Sequence, residues 1–350
     1  MPAKKAPRAE PSPKQKLTLK GVASIVGVSR TTMSNAFNRP EQLSKQLRGE
    51  ILKKCRELGY FGPDPAARAL RRRVIQEVAV VFHHDLQFIF GDQLSIEFLR
   101  GVSAELDRRG MTLQLIPNLG RMDSLGTAFH TTADALIVYA EIVRELAAEV
   151  RSVSKPLVLV DTQLSGTPSV RIDDRRGASM AVEYALASKP GRLIVLRFKL
   201  DDRQRARVFE RPNLPRSGSV SVERMAGCVA AAGARGWPPA RIDWLEIDDW
   251  KPQSAEAPLQ ELLQRLAPGT RVALVGMSDR IALAALEVLR RASNIRVTAV
   301  VGFDDIPAAG IAGLTTIRQD ARMKGEHAVK LLLDGGKSVT LGVELVVRET

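Results

Sequence analysis

Cysteine is nearly absent from this chain, with two among 350 residues, Cys55 and Cys228. Both fall in helix-like patterns, Cys55 reads as core filler, and no disulfide framework is expected. No apolar run approaches the roughly 18 residues that a membrane span needs. The opening stretch MPAKKAPRAEPSPKQK is basic but lacks the apolar segment of a secretory signal, so the expected setting is the cytoplasm, with no membrane partner. Enzyme motifs are missing as well. There is no phosphate loop, no nucleophile elbow and no metal-ligand spacing. His83 and His84 are an adjacent pair without a nearby third ligand, and Asp304–Asp305 has no nucleophile or metal to work with. No catalytic residue, cofactor or metal is therefore expected.

What is present begins with the placement of charge. The length suits two or three folded units, and 45% hydrophobic with 26% charged residues is ordinary for a soluble globular protein. The net charge is +13, and residues 1–73 carry nearly all of it, with 17 Lys/Arg against 5 Asp/Glu. The remaining 277 residues balance 35 against 34. A solubilising basic tail is one reading. A polyanion-binding module on a neutral body is the other, and charge alone does not choose among DNA, RNA and acidic lipid.

The local pattern makes that choice. Residues 1–16 are rich in Pro, Lys and Ala and are expected to be a disordered basic tail. Thr18 is a good N-cap, and Leu19, Val22, Ala23 and Val26 follow on one face of a two-turn helix. Gly27 supplies the residue that ends it, and Ser29 caps a second helix burying Met33, Ala36 and Phe37. A third helix, capped by Ser44, is expected to bury Leu47, Ile51, Cys55 and Leu58 and to stop at Gly59. Two short helices across a tight Gly-containing turn are the helix-turn-helix pattern, whose second helix enters the major groove. The residues facing away from its core are Arg30, Thr31, Ser34, Asn35 and Asn38. Arg suits guanine O6/N7, Asn suits adenine N6/N7, and Thr and Ser suit phosphates or a thymine methyl.

Next comes Asp64-Pro65-Ala66-Ala67-Arg68-Ala69-Leu70-Arg71-Arg72-Arg73. Asp64 caps, Pro65 suits the first helical position, and the alanines favour helix, yet the segment is too short to be stable alone. Leu70 beside a cluster of arginines reads as a minor-groove wedge or as a stray apolar residue in an exposed linker.

Leu17-Thr18-Leu19, Val22-Ala23, Gly27-Val28-Ser29-Arg30-Thr31-Thr32-Met33-Ser34, Asn38, Leu58-Gly59-Tyr60 and the segment from Asp64 to Leu70 together resemble the headpiece and hinge of the lac-repressor (LacI/GalR-type) family. The resemblance implies that Arg30, Thr31 and Asn35 read bases, that Thr18, Thr32, Ser34 and Asn38 hold phosphates, and that Leu70 opens the central step of the operator. Many members carry Arg where this chain has Asn35.

From residue 77 onward, short apolar runs alternate with amphipathic helices. Strands are expected at 78–82, 112–116, 135–139, 157–160, 193–198, 241–247, 272–275 and 297–301, with helices at 93–109, 174–188, 221–235, 255–267 and 278–292. Such alternation implies parallel sheets covered on both faces, and the length suits two doubly wound lobes with a ligand cleft between them. Asp161, Ser278, Asp279 and Asp304 each follow a strand, and Arg224 opens a helix. Singly each could be a helix cap; carboxylates with an arginine suit a hydroxyl-rich ligand such as a sugar or nucleoside.

This region also resembles the family's sensor domain, itself similar to periplasmic sugar-binding proteins. That resemblance implies Asp161, Arg224, Ser278 and Asp304 as effector contacts. Phe90 is read as stacking on the ligand and His83 as lining the cleft. The segment 199–217 is an unusually charged, Pro-containing loop, 314–320 resembles the last crossover between lobes, and the helix at 322–333 would carry part of the dimer surface. The expected architecture is an all-α helix-turn-helix headpiece (17–60), a hinge (61–73) and an α/β effector-binding and dimerisation domain (74–350). Its N-lobe takes about 74–172 and 319–338, and its C-lobe about 173–317 and 339–350. The expected function is a regulator, in the first instance a repressor, that binds a double-stranded pseudo-palindromic DNA operator as a homodimer, or as a tetramer, under control of a small sugar-like effector. A ligand-independent or activating regulator, a sugar-binding protein without transcriptional role, and an RNA-binding or architectural protein are the alternatives.

Overall fold

The computed structural model describes residues 19–38, 42–58, 60, 75–82, 84–117, 131–139, 147–198, 208–209, 219–247 and 252–350. The chain divides into two compact units, residues 1–74 and 75–350.

The first unit holds helices α1 (Leu19–Val26), α2 (Arg30–Asn38) and α3 (Lys45–Glu57). Gly27 adopts φ +82°, and the amides of Gly27 and Val28 both reach the Ala23 carbonyl at 3.0 Å, which closes α1. This left-handed step comes at little steric cost only without a Cβ. Val22, Ala23, Val26, Met33, Ala36, Ile51, Cys55 and Tyr60 form the core, with the Phe37 and Tyr60 rings edge to face at 5.9 Å. Ser44 caps α3 by accepting from the Leu47 amide at 3.2 Å. Leu47 itself is exposed, contrary to the expectation that it is buried. Ile51 and Cys55 lie one and two turns further along and face inward, whereas the first turn of α3 overhangs the small core.

The second unit contains two sheets. The first has β1 (Glu77–Phe82), β2 (Thr112–Pro117), β3 (Ala135–Tyr139), β4 (Leu157–Val160), β5 (Ser169–Ile172) and, after a long excursion, β12 (Val339–Leu341), ordered β12-β5-β4-β3-β1-β2 and parallel throughout. Helices α4 (Leu86–Gly91), α5 (Gln93–Arg108), α6 (Ala147–Ser152) and α12 (Ala321–Asp334) belong with it. Gly101 on α5 lies against the Arg322 carbonyl and Gly325 on α12 against the Phe98 carbonyl, so a Cβ at either position would collide with the facing helix.

The second sheet has β6 (Arg192–Phe198), β7 (Val208–Phe209), β8 (Ile242–Ile247), β9 (Thr270–Gly276), β10 (Ile295–Asp304), β11 (Thr315–Arg318) and β13 (Glu344–Val346), ordered β13-β11-β10-β9-β6-β8-β7. Its five inner strands are parallel, and the two edge strands, β13 and β7, are antiparallel to their neighbours. Helices α7 (Asp174–Ala187), α8 (Val220–Ala234), α9 (Glu256–Gln264), α10 (Asp279–Arg291) and α11 (Pro307–Ile311) cover it. The inner strands are buried almost end to end, as parallel strands covered on both faces must be.

These are the two doubly wound lobes expected from the alternation. The sequence reading missed β5, whose Ser-Val-Arg-Ile is neither a continuous apolar run nor a helical period. It also returned the chain to the second lobe too early. Val339–Leu341 pairs with β5 in the first sheet, so the last crossing follows Leu341 rather than preceding residue 339. The helix expected at the dimer surface is α12. It turns Lys324, Gly325, Ala328, Val329, Leu331 and Leu332 inward and leaves Met323 exposed.

Candidate functional site

In the first unit the polar side of α2 faces out. Arg30 and Thr31 are exposed, and Thr32, Ser34 and Asn35 are half-buried. The Thr32 amide donates to Ser29 Oγ at 2.9 Å and the two hydroxyls lie 2.8 Å apart, so Thr32 is part of the cap that starts the helix. Asn35 Nδ2 donates to Gln42 Oε1 at 2.9 Å, which fixes the carboxamide against the segment leading to α3. The first turn of α2 has no acidic residue, and Arg30 adds its charge to the positive end of the helix, an arrangement suited to an anion. Asn38 closes α2; its side chain, Thr18 and the hinge with Leu70 lie outside the described residues.

In the second unit charged groups gather where strand ends of the two sheets meet. Asp161 follows β4 with φ +59°, and Asp304 closes β10 with φ +117°. Each costs of order 1–3 kcal/mol of backbone strain and persists because its surroundings hold it. Arg224, on α8, is buried. Its Nε donates to Asp174 Oδ1 at 2.8 Å, one terminal nitrogen donates to the Met277 carbonyl, and the other lies 3.6 Å from Asp304 Oδ1. The guanidinium carbon sits 3.6 Å from the centre of the Phe303 ring. Burial pulls the Arg224 pKa down, but the Asp174, Asp304 and Asp161 carboxylates outweigh it and hold the group above its ordinary value. Burial likewise pushes the Asp174 carboxyl up, against the pull of Arg224.

Two residues that the sequence reading did not single out complete this cluster. Lys324 Nζ donates to Asp161 Oδ2 and to Gln319 Oε1, both at 2.8 Å. Gln319 Nε2 donates to Asp304 Oδ1 at 2.7 Å. Asp161 on the first lobe is thereby linked to Asp304 on the second. Burial, then the neighbouring Asp161, Asp92 and Asp304 carboxylates, hold the Tyr139 phenol well above its usual range. The available signal for Lys324 was a lysine on the inward face of an amphipathic helix, where charge is rare unless paired.

The other expected contacts are engaged as follows. Ser278 is buried and caps α10, its Oγ accepting from the Ile281 amide at 3.4 Å. Asp279 is fully enclosed, and its two oxygens accept from Thr316 Oγ1 at 2.5 Å and the Ile306 amide at 2.9 Å. Burial pushes its pKa up to about 7. A carboxyl so enclosed ties α10 to β11 and to the turn after Asp304, and we assign it that structural part instead of ligand contact. Phe90 is 59% exposed, whereas Phe88, two residues earlier on α4, lies 4.8 Å from the Arg280 guanidinium of the second lobe and 4.5 Å from the His84 ring. Phe88, and not Phe90, is the α4 ring that touches the second lobe. His83 lies outside the described residues, as does 199–217 apart from β7.

A concavity of about 430 Å³ opens beside Asp161 and Asp174, with Arg171, Asp173, Arg175, Glu223 and Thr340 on its walls. Among the described residues no group of three His, Cys, Asp or Glu side chains is placed to hold a metal ion, and no helix is long and apolar enough to cross a membrane.

Residues 205–350 match the model of a periplasmic binding protein-like domain. Over 97% of its length the chain is 36% identical to an HTH-type transcriptional regulator of Mycobacterium tuberculosis, 96% of which is covered. The fold is similar to that of the lac repressor dimer bound to operator and an anti-inducer, with TM-score 0.71 and 22% identity over 95% of this chain and 98% of that one. It is similar also to the cellobiose complex of the transcriptional regulator CelR, with TM-score 0.60 and 23% identity over 95% and 99%.

Proposed function

Because the chain belongs to the LacI family of helix-turn-helix transcriptional regulators, we propose that it is a repressor whose dimer places two α2 helices in successive major grooves of a pseudo-palindromic operator, under control of a hydroxyl-rich small molecule bound between the lobes. The observation that carries this reading is the outward Arg30–Thr31 turn of α2 within the segment that holds most of the protein's excess positive charge. Arg30, Thr31 and Asn35 read bases, and Thr18, Thr32, Ser34 and Asn38 hold phosphates. Leu70 wedges the minor groove. The protein works as a regulator and not as an enzyme.

Asp161, Arg224, Ser278 and Asp304 surround the effector, with Phe88 at the rim. A cluster of carboxylates and an arginine offers acceptors and donors to sugar hydroxyls. The CelR structure holds cellobiose, a ligand of that class. Ligand and operator then compete or cooperate through the relative position of the lobes, with a coupling of about 1–3 kcal/mol, or 5- to 150-fold in affinity.

The test is a mobility shift of the full chain on DNA from its own upstream region with nonspecific competitor. Arg30→Ala is expected to cost about 1–3 kcal/mol and to relax discrimination at one base pair. Equal affinity of the unaltered chain for all DNA overturns the sequence-specific reading.

A further inference from the structure

Lys324 is 1% exposed, and two of its three N–H directions go to Asp161 Oδ2 and Gln319 Oε1. An ammonium has no acceptor, so the Gln319 carboxamide must turn its oxygen toward Lys324 and its NH2 toward Asp304. One cation thus engages the acidic group of the first lobe directly and sets the donor presented to that of the second. Without it, Arg224 would be the one buried cation among Asp161, Asp174 and Asp304 in the described residues, Arg171 and Arg175 lying on the wall of the concavity with Asp173 and Glu223. In a weakly screened interior such an excess of carboxylate draws in a positively charged guest. Asp161 Oδ1 is the sensitive point, being buried and engaged by neither Lys324 nor Gln319, with the Tyr139 phenol beside the same carboxyl. A ligand ammonium approaching it would meet the Lys324 charge already seated on the other oxygen.

We propose that Lys324 is the specificity-determining residue for the charge of the effector: it bars ammonium-bearing molecules from the acidic floor and leaves Asp161 Oδ1 to the hydroxyl donors of an uncharged ligand. This rests on the interlobe effector reading above and adds the class of molecule that the site refuses.

The experiment needs no knowledge of the natural ligand. Melting of the full chain is followed against ethanolammonium chloride, with sodium chloride at equal ionic strength as the reference, for the unaltered chain, Lys324→Met and Lys324→Met with Asp161→Asn. Lys324→Met is expected to bind ethanolammonium about ten-fold or more tightly than the unaltered chain. Adding Asp161→Asn is expected to cancel the gain. Should Lys324→Met not fold, Lys324→Gln, which keeps a donor without the charge, replaces it in the same comparison. A lysine with a purely structural role would lower the melting temperature and create no preference for ammonium. An unchanged response to ethanolammonium, or a gain that survives Asp161→Asn, overturns the proposal. Absence of any shift with a panel of neutral sugars and polyols on the unaltered chain would instead sink the effector reading, and the two failures are told apart.

Discussion

The two units keep their polar chemistry in opposite places. The headpiece has an apolar core of eight buried residues and carries Arg30 and Thr31 on the outside, where they have water until DNA arrives. The sensor buries Arg224, Asp174, Asp304 and Lys324 and satisfies them through one another, Asp161, Gln319 and the Met277 carbonyl. A surface reader can change one side chain at little cost in stability, because nothing inside depends on it. A buried reader cannot, because removing one partner strands the others. Changes to the sensor site should therefore register as stability, and changes to the headpiece face as affinity.

Arg224→Ala is the strongest way to break that contrast. It leaves Asp174 and Asp304 buried without their cation, and a loss of about 3–5 kcal/mol in the urea unfolding of the sensor is expected. An unfolding midpoint close to that of the unaltered chain would mean that the cluster is well hydrated. Met33→Ala comes next, at about 2–5 kcal/mol for a fully buried side chain in a small core. Calorimetry should show the headpiece transition lost or lowered and the sensor transition unmoved, with operator binding abolished.

Asp279 sharpens the contrast through pH. Its folded pKa of about 7 lies above the ordinary carboxylate value, so the folded state holds a proton that the unfolded chain has released. The stabilisation from this group is complete below the unfolded pKa and is lost as pH rises through 7, at up to about 1.4 kcal/mol per pH unit. Asp279→Asn should flatten the fall in sensor stability between about pH 4 and 7. A variant that retains the full slope would place its origin elsewhere. The smallest effect is Leu47→Ala, at under about 0.5 kcal/mol, since that side chain is exposed on the first turn of α3.

The same contrast decides what could be read from residues alone. Helical period, cap and turn are local, so α1, α2 and α3 and the outward face of α2 follow from consecutive residues. Leu47 went astray because a pattern shows which side of a helix points inward and not how far the core extends beneath it. In the sensor, Asp161, Arg224 and Asp304 stand out by position, each at a strand end or a helix start, and the structure brings them into one cluster. Their partners were not. Asp174 lies 50 residues from Arg224 and Lys324 lies 163 from Asp161, and no local period encodes either meeting. Phe88 and Phe90 are two residues apart on a helix of six residues, and only its seating chooses which one faces the second lobe. β12 was given to the wrong lobe because three residues carry no mark of the sheet they will join.

In the proposed mechanism a molecule held among Asp161, Arg224 and Asp304 governs the grip on DNA. The most direct measurement is operator affinity of the full chain with and without a neutral sugar or polyol that raises its melting temperature. A 5- to 150-fold change in affinity is expected, abolished by Arg224→Lys while binding to DNA persists. An operator affinity indifferent to every such molecule would contradict it.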